Sequence, residues 1–547
     1  RSSTKKIGAS IYLREGIYQR TESFRLTEED GGVDETTAVV YQAYNNEKVT
    51  LSGGISISAN KLQPVSDQGI RERLNPAVRD QIRMLDLVET GVSMEMLGGF
   101  QYWQKSGSTY PPAQGAVWID DHKMEPARFP KRDGGPEGDG FIFTGKVEHT
   151  GSIPRTGVKK EPEGGIFQYL EEEVATWKDH DQIWIYGYMK ETYADGMLQV
   201  ESINTEAGTI AVKQPSWYGI GEGARYTCLN VLEELTLPGE MVLDSRAGII
   251  YLFPSDGFDE EKSRIELSLA TAPLIEISDA DYLTISGIDC RLTRGDAIQV
   301  SGSNHILIES LDIENIEGNG IGMPTKEERY NRIDRVNFRN IGGFAFRIGG
   351  GDRLTQRFGH SEVSNCRINN FGLVRSGKSM LSGVGNVIRN CEFSGCREGA
   401  ISMSGNENRV EGNIFMNLNR AGSDAGAVYM GRNPSETGLK VRNNYFQDIG
   451  NGIEEDTGIQ GVYVDDRSGF VEVSGNIFNR VGSGKHGAAF KVNGGKHNVF
   501  ENNLIIDGRA AYIQVHSTGK GTWSDWYQEK QIADRLMEVD SENSNSP

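Results

Sequence analysis

The feature that most restricts this chain is an internal repeat between about 280 and 510, where short apolar alternations recur between Gly- and Asn-rich turns. Aligning ISGIDC, IESLDI, RVNFRN, VSNCRI, IRNCEF, VEGNIF, VRNNYF, VSGNIF and FENNLI puts Ile288, Leu311, Val336, Cys366, Cys391, Asn413, Asn444, Asn476 and Asn503 in one column. Two residues on, a second column holds Cys290, Ile313, Phe338, Ile368, Phe393, Phe415, Phe446, Phe478 and Ile505. The eight steps run from 22 to 32 residues, about 27 on average. A helical solenoid needs a 3.6-residue period and nearly constant length, whereas these units alternate with period two and differ mainly in their connections. A parallel β-helix meets both conditions, because each turn adds a strand about 4.8 Å above the last and like residues stack. The second column is then the apolar ladder of the core, and the four asparagines of the first bond turn to turn. Cys366 and Cys391, in the same column, read as small buried residues.

Composition agrees with many tight turns: Gly is 68 of 547 residues, while Pro is only 16. The formal net charge of −20 repels phosphate backbones and anionic bilayers, which argues against nucleic acid or a membrane surface as partner. The sequence has no run of 18 apolar residues, which excludes an ordinary membrane-spanning helix. Five cysteines without CxxC spacing indicate neither a disulfide framework nor a zinc site. The opening RSSTKKIGASIYL has neither an initiator Met nor the pattern of a signal peptide, and reads as a processed or trimmed start.

Four regions follow. Residues 1–114 contain short strands, SIYLREGIYQ and EKVTLSGGISIS, that suit the first turns of the coil, and LNPAVRDQIRMLDL (74–87) predicts a helix capped by Asn75 with Pro76 in its first turn. Residues 115–265, with GAVWID, DQIWIYGY, GTIAVK and GIIYLFP between polar loops, predict an inserted all-β domain of sandwich type. Residues 266–515 are the coil, and 516–547 a C-terminal helix at 521–540 with a solvated tail. Trp523 and Trp526 in that helix are expected to pack on the coil.

The densest concentration of chemistry is SDAGAVYMGR (423–432) with GVYVDDRSG (461–469). If Tyr429 stacks on Tyr463, then Val428, Met430, Val462 and Val464 face inward, and Tyr429, Tyr463 and Asp465 face outward. Asp424 then approaches Asp465 from the neighbouring turn. Two carboxylates in unlike environments supply an acid and a base or nucleophile, as glycoside hydrolysis requires. Asp466, on the other side of the strand, stands level with Arg432 as an ion pair, and is the substitute if the other member of the doublet is wrong. The plainer reading is that an Asp beside Gly caps a turn and that outward tyrosines stabilise a sheet. Arg353, His360, Arg375, Glu398, Arg432 and Lys491 are further substrate-binding candidates, although each such residue more often serves a turn or salt bridge. Trp103 suits a sugar platform or a core. With eight histidines and no HExxH pattern, no metal site is expected and no cofactor beyond a structural Ca²⁺.

In their order, GGDRLT (350–355), LSGVGNVI (381–388), SDAGAVYMGR, RNNYFQDI (442–449), GVYVDDRSG and NGGKHNVFENN (493–503) resemble the right-handed parallel β-helix group of carbohydrate-active enzymes, notably glycoside hydrolase family 141. The resemblance extends over about 1–515, including LSGG (51–54) and LEELTLPGEMVLD (232–244). It implies an all-β, right-handed coil carrying an inserted β domain. It further implies hydrolysis of a glycosidic bond in a plant or algal polysaccharide or its oligosaccharides, of fucosidase or xylanase type, by Asp424 and Asp465. Two features depart from the family pattern: SGCREGAI (394–401) carries Glu398 where a His is expected, and the strand and helix that precede SIYLREG in similar proteins are absent. Two other readings compete: a polysaccharide lyase using Arg432, Lys491 or Arg375 with a Ca²⁺-neutralised uronate, and a non-catalytic adhesin or glycan-binding module. A polymer substrate places the protein outside the cytoplasm, secreted or periplasmic, as a monomer or an oligomer of unspecified order.

Overall fold

The computed structural model describes residues 6–105, 111–120, 122–132, 140–157, 161–323, 328–375, 377–450 and 458–516. The helix expected at 521–540, with Trp523 and Trp526, lies outside the described residues. No described helix is long and apolar enough to cross a membrane. The chain divides into two compact units: Arg1–Ser52, Ala272–Arg291 and Gly295–Pro547 form one, and Gly53–Thr271 with Leu292–Arg294 the other.

The first unit is a parallel β-helix of three sheets, each of 11 strands. Its second sheet has the register that the repeat alignment predicts. Ile313 pairs with Phe338, and the row continues through Ile368, Phe393, Phe415, Phe446 and Phe478 to Ile505. Within it, the rings of Phe393, Phe415, Phe446 and Phe478 stack with centroids 5.1, 4.8 and 4.8 Å apart, at the strand spacing itself. The asparagine column is equally regular. Asn413 Nδ2 donates to Asn444 Oδ1 (3.0 Å), Asn444 to Asn476 (3.0 Å) and Asn476 to Asn503 (2.9 Å). Each amide oxygen also accepts the backbone N–H of the residue below in the column, so the turn polar groups find partners without water.

Two further ladders escape the sequence alignment. Asn331, Ser361, Asn386 and Asn408 link successive rungs where the third sheet turns into the first. Their side chains mix hydroxyl and amide, so no single residue type marks the column. On the exterior, Tyr282, His305, Tyr330 and His360 stack ring on ring at 4.2, 4.7 and 5.1 Å.

The second unit is all-β. A four-stranded and a five-stranded sheet share one core through Val117, Ile119, Ile265 and Leu267 on one side and Leu85, Leu243, Ile250 and Leu252 on the other, the arrangement of a sandwich. A third, nine-stranded sheet encloses a separate core around Phe167, Ile185, Leu198, Ile210 and Tyr226.

Three sequence expectations are corrected here. The compact unit begins at Gly53 rather than 115 and ends at Thr271 rather than 265. EKVTLSGGISIS is not one run of coil strands: Val49–Ser52 stays in the coil, while Gly54–Ser58 pairs antiparallel with Arg264–Ser268. Gly54 permits this crossing, since a Cβ there would lie 2.4 Å from the Leu267 carbonyl oxygen. The helix over 74–87 does not form either. The helix is Gln68–Arg73, capped by Asp67, whose Oδ1 accepts the Ile70 N–H at 2.8 Å. Asn75 closes a single turn through Ala77 N–H, and Arg83–Asp86 is a strand paired with Ile249–Leu252. Ile82 and Leu85, which a helix over 74–87 would set near one face, enter different cores, so sheet pairing overrides a weak helical propensity.

Candidate functional site

The site is built on the third sheet of the coil, on strands Ala425–Gly431, Ile459–Asp465 and Ala488–Asn493. Val428 and Met430 pair with Val462 and Val464, all four fully buried in the coil core. Alternation therefore turns Tyr429, Tyr463 and Lys491 to the other face, where they form one row across three rungs. Asp424 (φ 49°) precedes the first strand and Asp466 (φ 40°) follows the second, both in left-handed backbone that Asp adopts more readily than most residues.

On this face the two rungs exchange hydrogen bonds crosswise. Tyr463 donates from the upper rung to Asp424 Oδ1 (3.1 Å), and Tyr429 donates from the lower rung to Asp465 Oδ2 (3.0 Å). The two tyrosine rings meet edge to face, 5.6 Å apart. Each ring carries an ammonium: Lys378 Nζ lies 4.5 Å from the Tyr429 centroid and Lys491 Nζ 4.8 Å from that of Tyr463. These contacts leave Tyr463 only 2% exposed although it faces away from the coil core.

The three carboxyl groups differ in environment. Asp465 Oδ1 accepts from Asn493 Nδ2 (2.9 Å) and from the Asp466 N–H (2.8 Å), so with Tyr429 its side chain takes three hydrogen bonds. Asp424 has one such donor, and burial, followed by the charge of Asp465, holds its carboxyl above the usual range; Lys491, Tyr463 and Lys378 oppose that rise. Asp466 is pushed up to about 6 by burial and then by Asp465, against the pull of Arg432, whose Nε donates to it at 2.9 Å. The Arg432 side chain is 62% exposed. Burial lowers the Lys491 ammonium, and it raises the Tyr429 and Tyr463 hydroxyls with help from the neighbouring aspartates.

Asp424, Asp465, Asp466, Tyr429, Tyr463, Arg432 and Lys491 thus come together. The other candidates have local partners of their own, and Glu398 lies on the rung next to that of Asp424, since Ile401 pairs with Val428. His360 is the end of the exterior aromatic stack, and Arg353 ties Asn406 Oδ1 to the carbonyl and hydroxyl of Ser435. Glu398 is buried at the turn before Ile401–Met403, where its carbonyl accepts the Asn419 N–H, and Arg375 sits in a turn that bonds to the Gly342 carbonyl. Trp103 is buried in an aromatic cluster of the second unit with Trp184 and Tyr186. Sequence reasoning missed Asn493 and Lys378. Asn493 was accessible from register, since Val464 pairs with Val492 and the next step sets Asn493 against Asp465. Lys378 has no such signal, because it reaches Tyr429 from outside a strand.

A family description, the right-handed beta helix region, matches residues 296–458 and 359–525. No curated protein matches the chain by sequence. Among solved structures, a protein described as a glycoside hydrolase is similar at TM-score 0.57 and 14% identity, over 98% of this chain and 92% of that one. A complex of XylC with xylose follows at TM-score 0.46 and 12% identity, over 92% and 80% of the two chains. The tailspike protein gp49 of Pseudomonas phage LKA1 has a TM-score of 0.30 and 10% identity, over 92% and 69%. At these identities the first likeness shows the fold, a right-handed parallel β-helix, and the other two carry no argument.

Proposed function

We propose that this protein is a glycoside hydrolase that cleaves a polysaccharide or its oligosaccharides with Asp424 and Asp465. The observation that carries the reading is the unequal pair of aspartates on adjacent rungs. Asp424, buried and held above the usual carboxylate range, is suited to keep a proton and deliver it to a leaving glycosidic oxygen. Asp465, which accepts three hydrogen bonds, is suited to act as base or nucleophile. Asp466 and Arg432 then flank the pair, with Arg432 presenting an exposed guanidinium to a sugar. The family 141 resemblance points to a fucosidase or xylanase type, and a polymer substrate to a secreted or periplasmic protein. The structural likeness to a described glycoside hydrolase supports the class without naming a substrate.

One observation favours a second reading. The lowered Lys491 ammonium is the kind of base that β-elimination on a uronate requires, which keeps a lyase in view. A panel of polysaccharides and oligosaccharides, read for reducing ends and ultraviolet absorbance together, separates the two. Hydrolysis gives new reducing ends without absorbance, and Asp424→Asn and Asp465→Asn each lower kcat by about 10²–10⁴-fold with the fold retained. Absorbance that rises with cleavage and disappears in Lys491→Met overturns the hydrolase in favour of the lyase. Glycan binding without turnover in the wild type overturns both.

A further inference from the structure

The cysteines have no part in the reading above, yet two of them stand directly one over the other. Arg367 pairs with Glu392 and Ile368 with Phe393, which places Cys366 and Cys391 in register on adjacent rungs. In-register strands lie about 4.8 Å apart, inside the Cα separation of about 4.4–6.8 Å that a disulfide spans. The direction of the side chains is also known. This is the column in which Asn413, Asn444 and Asn476 reach the next rung with their side-chain amides at 2.9–3.0 Å. Both thiols adopt the same pose, Cys366 Sγ donating to the Ser364 carbonyl at 3.1 Å and Cys391 Sγ to the Arg389 carbonyl at 3.2 Å. Burial, and then hydrogen bonding with Cys366, holds the Cys391 thiol well above its ordinary value, so the two sulfurs are neighbours.

The pair also adjoins solvent. A groove of about 480 Å³ is lined by Cys366 and Cys391 together with Asn365, Asn390, Gly412 and Ile414. The cysteines themselves are only 3% and 2% exposed. The remaining three cysteines, Cys228, Cys290 and Cys396, are buried apolar-core residues.

We propose that Cys366 and Cys391 are an oxidation site that closes into a disulfide across adjacent rungs when the chain meets a small-molecule disulfide. One cysteine thiolate attacks the small disulfide, forming a mixed disulfide and releasing one small thiolate. The second cysteine thiolate then attacks the protein sulfur and releases the other small thiolate. Two protein thiols are oxidised and one small disulfide is reduced to two thiolates, which take up from solvent the two protons that the cysteines gave to it.

The test uses the full chain in two forms, folded and refolded from urea, in buffers of reduced and oxidised glutathione at mildly alkaline pH. After an acid quench, thiols are alkylated under denaturing conditions and peptides are mapped without reduction. The expected result is a fall in free thiols from five to three, a linked peptide pair containing Cys366 and Cys391, and reversal by dithiothreitol. In Cys391→Ser, a glutathione adduct on Cys366 replaces the link. Five free thiols in both forms, a persistent glutathione adduct on the wild-type chain, or a link between any other two cysteines overturns the proposal.

Discussion

At the scale of single residues, Asp466 shows how one side chain ties the site to pH. Its carboxyl is pushed up to about 6, whereas an unfolded Asp titrates near 3.9. Between those values the native protein holds more protons than the unfolded chain, so this group makes stability fall as pH rises from about 4 to about 6. Urea midpoints measured across that window should decline in the wild type and decline less in Asp466→Asn. Arg432→Gln removes the cation that opposes the rise, so the carboxyl moves higher and the decline extends to higher pH. Unchanged slopes in both variants would contradict this account. SDAGAVYMGR and GVYVDDRSG revealed Asp424, Asp465 and the tyrosine row because alternation alone fixes which side chains share a face. The crossing of the Tyr–Asp bonds and the ammonium over each ring depend on side-chain rotamers and on register between distant segments, which no local pattern encodes.

At the scale of the rung, the asparagine column does work that propensity does not describe. Asn444 accepts from the Asn413 amide and backbone N–H and donates to Asn476 and to the Val410 carbonyl, all in a buried turn. Asn444→Ala leaves those partners without water or protein to bond, at a cost of about 3 kcal/mol. Denaturant unfolding should show a lower midpoint with an unchanged slope, and a loss under about 0.5 kcal/mol would mean that water enters the turn. Asn444→Asp keeps the acceptor but loses both donors, and should be at least as harmful. This column was readable because one residue type recurs, while the Ser and Asn ladder through Asn331 and Asn386 was hidden by its mixed chemistry. The helix expected over 74–87 failed for a related reason. Its apolar spacing suited one helical face, but Ile82 and Leu85 serve two different cores on either side of a sheet.

At the scale of the molecule, the two units have separate cores and different architectures. A coil of 11 rungs holds together by nearest-neighbour contacts, whereas the inserted unit closes mainly antiparallel sheets around its own interior. Calorimetry of the full chain should therefore depart from a single two-state transition, with a calorimetric enthalpy above the van't Hoff value. Equal enthalpies would show that the units melt as one. Composition and strand character announced an insertion, but its edges at Gly53 and Thr271 depend on which strand pairs with which, and LSGG reads the same on either side of that division.

The insertion has a consequence for the order in which the coil can be made. The chain leaves a rung after its second strand, Val49–Ser52, and supplies the third, Ile275–Ser278, only after all of 53–271 has been synthesised. Until then Phe24–Leu26 lacks the partner it finds in Ile275–Ile277, although the first strands already pair among themselves. The contiguous strands beyond 272 need only short closures between neighbours, whereas joining Val39–Ala43 and Val49–Ser52 to them must wait for the inserted segment. The coil is thus joined across its insertion only once the inserted segment has been made.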